Sequence, residues 1–460
     1  MFDHILGQPA VTQLSNDITE GIVAPSMLFA GPSASGKGTT ALELGRIRSC
    51  ENPAAPEDCT CHACDLHRLL SHPDLLILGP RAFSGEIAAA TAVFLNGPEA
   101  ATRLLFIRSV RKLLTRFSPV LWEDDPKIGK LSAYMVSLEE DLDTLGAWEE
   151  IGEAPQEKIK KCCDGILKTA LKLESEGIGD LIPIAHIRRA AYWSHLAPTG
   201  RGKLLLIENA DHMQEGARNS LLKILEEPPE SLTILLTTSR EKSLLPTILS
   251  RLRPYRFTQR TRTIEAEVIR RVFRDARFAE TLAAEDAPGS PRDSQRRPPG
   301  STGRISAYLD AFLPVSGEIL MPLAAFFIAS VASATVVDLR NKGDSPLPEG
   351  LVSLGAYTAP IAEAAGLGRP LRNAQGTVAK VLAGAENFEV RALFSQFLNS
   401  LLTLVSESLR QGNVGPGGIP YTTLWGTHVK EALVSVGTYN QAPALALDRL
   451  YIKIRQGFQN

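Results

Sequence analysis

The chain has 460 residues, more than one compact domain holds and enough for about three. Hydrophobic residues make up 44% of it and the mean hydropathy is -0.02, which fits a soluble globular protein with a real core. The formal net charge of -2, from 49 basic and 51 acidic residues, excludes a global electrostatic footprint for nucleic acid, so any DNA contact is local or made together with other chains.

Met1-Phe2-Asp3-His4 has no charged segment followed by an apolar run, so no secretory signal is expected and the chain reads as cytoplasmic. The first elements are a strand, a loop and a helix: the apolar run Ser26–Ala30, then Gly31-Pro32-Ser33-Ala34-Ser35-Gly36-Lys37, then a helical stretch Thr39–Arg48. Asp74–Leu78 is a second buried strand, Leu204–Ile207 a third and Leu232–Thr238 a fourth. Unalternating apolar runs separated by helical patterns indicate parallel strands covered on both faces.

Gly31-x-x-x-x-Gly36-Lys37 between a strand and a helix is the setting a phosphate loop requires. Its glycines let backbone N–H groups, Ser35 included, converge on phosphate oxygens. The helix N-terminus adds partial positive charge, and Lys37 reaches the β- and γ-phosphates. The position after the lysine calls for a hydroxyl to ligate Mg²⁺ but holds Gly38; Thr39 follows one place later. The second half of an ATP site is an acid ending a buried strand, a place that Glu208 fits. It is followed by Asn209, an amide that cannot accept a proton from the attacking water, so ATP with Mg²⁺ is expected to bind weakly or not at all and hydrolysis to be crippled.

Directly after that helix come Cys50, Cys59, Cys61 and Cys64. Four clustered thiolates in a reducing compartment suit a closed, structural Zn²⁺ site. The Cys59-x-Cys61 step is tighter than usual, so His62 or His67 stands as an alternative ligand. Cys162 and Cys163 read as packing thiols.

Between 83 and 183 the strand–helix rhythm breaks. Leu104, Leu105, Ile107, Val110, Leu113, Leu114 and Phe117 make an apolar face ringed by Arg103, Arg108, Arg111, Lys112 and Arg116, which reads as a helical insertion with solvated charged faces. Residues 259–282 read as a further helical segment, and 283–303, rich in Pro, Gly and Ser, as a flexible linker. From 304 to 460 the pattern is helical, with helices such as Val390–Arg410 and Pro443–Gln456. Ile319–Val337 is apolar enough to raise the question of a membrane. It carries Pro322, Ser330, Ser333, Thr335 and many alanines, and reads as a buried core helix.

These pieces, in this order, resemble the AAA+ subunits of the bacterial DNA polymerase III clamp loader, delta-prime and its paralogue gamma/tau. The resemblance is carried by Phe2–Gln8, the phosphate loop, the four-cysteine loop and His72-Pro73-Asp74-Leu75. It continues in Gly202–Asp211, in Asn219–Pro229 with its Leu-Glu-Glu-Pro-Pro, and in Pro246-Thr247-Ile248-Leu249-Ser250-Arg251. Leu252 stands where the family has a cysteine. The resemblance implies an AAA+ core over 1–82 and 184–258, with 259–282 as its lid and 304–460 as an all-α oligomerising collar. It implies a delta-prime-like stator, partnered by gamma/tau and delta, acting on the sliding clamp and on primer-template DNA. Arg251 would be an arginine finger for a neighbour's ATP, and Thr237 or Thr238 stands where the γ-phosphate sensor belongs. A gamma/tau-like motor is the alternative; Gly38 and Asn209 count against it.

Overall fold

The computed structural model describes residues 2–123, 125–146, 156–276, 279–280, 305–310, 312, 317–341, 349–367, 374–383, 390–410, 419–437 and 441–457. The linker expected at 283–303 lies outside them. The described residues fall into two compact units, one running to 280 with 305–309, the other from 310 onward.

The first unit is built on five strands: β1 (Ser26–Ala30), β2 (Leu75–Leu78), β3 (Lys203–Ile207), β4 (Leu232–Thr238) and β5 (Arg253–Arg256). They form one sheet in the order β2-β3-β4-β1-β5, with every pairing parallel. Parallel neighbours need crossovers, and each crossover here is helical. β1, β3 and β4 are buried at every residue, as their unbroken apolar composition anticipates. Ala30 pairs with Thr238 and Ile207 with Leu236, so β1, β3 and β4 end at the same edge. That register brings three distant segments together.

Helices α1 (Pro9–Thr19) and α2 (Lys37–Ser49) follow in the N-terminal part. α1 opens on proline, whose missing N–H is unpaired at a first helical position anyway. Leu14, Leu44, Met27, Tyr255 and Phe257 form the core on that side of the sheet. After the short α3 (His62–Arg68), the stretch read as an insertion supplies α4 (Ser84–Asn96), α5 (Ala100–Leu114), α6 (Pro119–Trp122), α7 (Ile128–Gly146) and α8 (Gln156–Gly177). Then come α9 (Ile184–His195), α10 (Glu215–Glu226), α11 (Pro246–Leu249) and α12 (Arg262–Val268).

The insertion is continuous with the core. Phe94, Phe106, Phe117, Leu138 and Ile166 join Leu205, Ile207 and Ile234 of the sheet in one buried cluster. The apolar stripe read in the sequence is buried at Ile107, Val110, Leu113 and Phe117; Phe106 joins it, whereas Leu104 is 39% exposed. Nor is its cationic ring simply solvated, since Arg116 is only 5% exposed.

The second unit is helical: Gly317–Asn341, Glu349–Ala364, Ala374–Ala383, Val390–Arg410, Ile419–Gly437 and Pro443–Gly457. Among the described residues only Ile319–Asn341 is long and apolar enough to cross a membrane, and 83% of its apolar window is buried inside the unit. Phe327 meets Phe397, Trp425 and Tyr451 edge-on at 5.8, 6.4 and 6.1 Å between ring centres, so neighbouring helices surround it.

Candidate nucleotide site and cysteine centre

The phosphate loop joins β1 to α2. Gly36 caps the helix at φ +98°, a conformation side chains resist, and a Cβ there would also meet Arg260 Nη2 at 2.7 Å. Arg260 donates through Nη1 to the Ala34 carbonyl at 2.8 Å and through Nε to Leu6 at 3.0 Å, which ties the N-terminal segment to the loop. Ser35 donates to Pro32 O at 2.8 Å. Lys37 Nζ donates to Gly31 O at 2.7 Å and to Pro32 O at 2.5 Å. Burial pushes the lysine pKa down to about 8 against the pull of Glu208 and Asp211.

The register of the sheet brings Glu208 to this loop. A Cβ on Gly38 would stand 2.6 Å from Glu208 Oε1, so the carboxylate occupies the space that a serine or threonine side chain would need. Arg81 Nη1 donates to Glu208 Oε1 at 3.5 Å, and Arg116 Nη2 pairs with Glu208 Oε2. Burial alone would raise the Glu208 carboxyl; Arg116 first and Arg81 second hold it below the usual carboxylate range. The Mg²⁺ that the loop pattern implies therefore does not fit these residues. Its hydroxyl ligand is absent and its acid is already neutralised. Thr39 is exposed, and it is Thr40 Oγ1 that bonds the loop, at Gly36 O.

Asn209 sits at φ +50° and donates through Nδ2 to Pro80 O at 2.7 Å. Thr238, ending β4, donates to Asp211 Oδ1 at 2.7 Å. Asp211, whose side chain is 3% exposed, is a site acid the sequence reading did not single out; its only signal is its place three residues after Glu208. Arg81 and Arg116 were missed as well, because no local pattern points from either of them to Glu208.

Arg251 lies apart from the loop's ion pairs, on the turn after α11. Nη1 donates to Thr247 O at 2.8 Å, and Nη2 pairs with Glu226 Oε1 at 2.7 Å at the end of α10. Both side chains are substantially exposed.

The four cysteine sulfurs all lie within 4.8 Å of one another. Cys50 Sγ is 3.6 Å from Cys59 Sγ and 4.0 Å from Cys61 Sγ. Tetrahedral zinc with Zn–S near 2.3 Å places its sulfurs about 3.8 Å apart, so the four thiols fit such an ion. The histidine alternative is set aside: His67 bonds Ser49 Oγ at 2.9 Å and stacks on His72, while His62 is exposed. Arg46 donates to Cys64 Sγ at 3.1 Å and to the Ala55 and Pro56 carbonyls, holding the loop against α2.

A parallel sheet in this order, with a phosphate loop after β1 and an acid after the strand two places away, defines a P-loop α/β module bearing a four-cysteine loop. The family model described as "DNA polymerase III, delta subunit" matches residues 7–127 and 156–261, and the chain belongs to that family. It is distantly similar to DNA polymerase III gamma/tau subunits. Those of Mycobacterium bovis and Mycobacterium tuberculosis are each 27% identical over 133 residues, 27% of this chain and 22% of theirs. The chain thus spans about a fifth of the length of these curated relatives. Among solved structures, a DNA polymerase III gamma subunit-related protein from Thermotoga maritima is 21% identical, covering 60% of this chain and 80% of its own. The TM-score is 0.26.

Proposed function

We propose that the chain is a delta-prime-like stator of the DNA polymerase III clamp loader. In this reading it sits in the cytoplasm among gamma/tau and delta subunits, with its C-terminal helices as an oligomerising collar. It presents Arg251 to ATP bound on a neighbour, and the assembly uses that ATP to load the sliding clamp on primer-template DNA. A guanidinium, always charged and forked, suits charge spreading over a γ-phosphate. Zn²⁺ held by Cys50, Cys59, Cys61 and Cys64 has a structural role.

The observation that carries the reading is the pairing of Glu208 with Arg116 and Arg81, beside an amide at 209 and no hydroxyl at 38. A buried carboxylate spent on two arginines polarises no water. The alternative, a gamma/tau-like motor, needs both the metal and the base. The reading is tested by steady-state ATP hydrolysis of the purified chain, with and without primed DNA. No turnover alone, with stimulation of a gamma/tau partner on mixing, is the expected result; robust turnover alone would favour the motor.

A further inference from the structure

We propose that the phosphate loop of this chain takes a nucleoside polyphosphate without a divalent cation, Arg81 and Arg116 supplying the counter-charge that Mg²⁺ supplies in ordinary phosphate loops. The inference rests on the phosphate-loop reading of Gly31–Lys37. In the ordinary arrangement a hydroxyl after the lysine and an acid on a neighbouring strand hold the metal against the β- and γ-phosphates.

Three observations carry the substitution. The Glu208 carboxylate stands against Gly38, and Arg81 Nη1 is 3.6 Å from the point where a Cβ of residue 38 would lie. Arg81 is therefore placed beside the second residue of α2, at the phosphate end of the helix, and Arg116 stands behind it, on the other oxygen of Glu208. Both guanidinium groups are fixed there: Arg116 lies over the Phe83 ring at 5.3 Å and Arg81 at 5.5 Å from the ring centre, and Arg81 is also paired with Glu86 at 2.5 Å. Finally, Arg116 is buried, yet its Nε and Nη1 have no acceptor among the described residues. A buried guanidinium with unpaired N–H groups is costly, and a phosphate oxygen is an acceptor of the kind it lacks.

Arg116 is supplied by the turn after α5, so this assigns a role to part of the helical insertion, which brings fixed charge to the nucleotide site. A fixed guanidinium differs from a metal in one measurable respect, since no chelator removes it.

The test is titration of the full chain with ATP by calorimetry, once in excess Mg²⁺ and once in excess EDTA. The expected result is the same affinity within about threefold in both media. Arg81→Ala, at a side chain 30% exposed, should weaken binding in EDTA about tenfold, the usual effect of losing one charge-assisted hydrogen bond, in a variant shown by its circular dichroism to be folded. ATP binding at least tenfold tighter in Mg²⁺, or none in either medium, would overturn the inference. Lys37→Ala separates the two levels. If it abolishes a Mg²⁺-dependent binding, the phosphate loop stands and only the substitution fails. If binding in EDTA survives it unchanged, ATP sits elsewhere and the loop reading fails too.

Discussion

Arg116 is paired with Glu208 across 92 residues of sequence, and the two side chains are only 4% and 8% exposed. The pair joins the helical insertion to the end of β3, beside the loop between β1 and α2. A buried ion pair contributes little over an apolar substitute, but breaking it leaves one charge stranded.

Arg116→Met should therefore destabilise the chain by about 3 kcal/mol in denaturant unfolding, while adding Glu208→Gln recovers much of the loss. Strictly additive losses would show that the two groups are not coupled.

Gly38→Ser tests the crowding at the loop. Replacing a helical glycine normally gains up to about 1 kcal/mol, yet here the new side chain meets a carboxylate held by two arginines. The expected outcome is a net loss of about 1–3 kcal/mol with no ATPase gained. A stabilised or hydrolysing variant would show that Glu208 moves aside freely.

Elemental analysis should find about one zinc per chain, lost with Cys61→Ser or Cys64→Ser and accompanied by a lower melting temperature. His67→Ala should keep the zinc, because that ring is engaged with Ser49 and His72. A metal-free chain of unchanged stability would rule out a structural ion.

Glu174 accepts from the Phe83 amide at 2.9 Å, and burial pushes its pKa up to about 7. Because the folded value lies above the unfolded one, its contribution is fully present below about 4.5 and lost as the pH rises through about 7. Glu174→Gln should abolish that fall, on the order of 3 kcal/mol, leaving the variant the more stable above pH 7. Parallel stability curves for variant and parent would contradict it.

Much of the α/β module was legible because a parallel strand buried on both faces reads as an unbroken apolar run, as in Leu232–Thr238. β5 was not: Arg253-Pro254-Tyr255-Arg256 is an edge strand in which Tyr255 alone is buried, so it shows neither an apolar run nor a regular alternation. The phosphate loop and the cysteines were legible because each is a short local pattern. Arg81, Arg116 and Asp211 were not, since their roles come from contacts made across the sheet edge and the insertion. The arginines of α5 and of the turn after it look alike in sequence; only the fold separates buried Arg116 from its partly exposed neighbours.

The central claim, that this chain lends a finger to a neighbour and turns over no ATP itself, is tested most directly by DNA-stimulated ATP hydrolysis of the reconstituted loader carrying Arg251→Ala. Among the described residues Arg251 is held only by surface contacts to Thr247, Ser250 and Glu226, so its removal should leave folding and assembly intact. The account predicts an assembled complex whose stimulated turnover falls about a thousandfold, the lower range for a lost arginine finger. Turnover equal to that of the unaltered loader would contradict it.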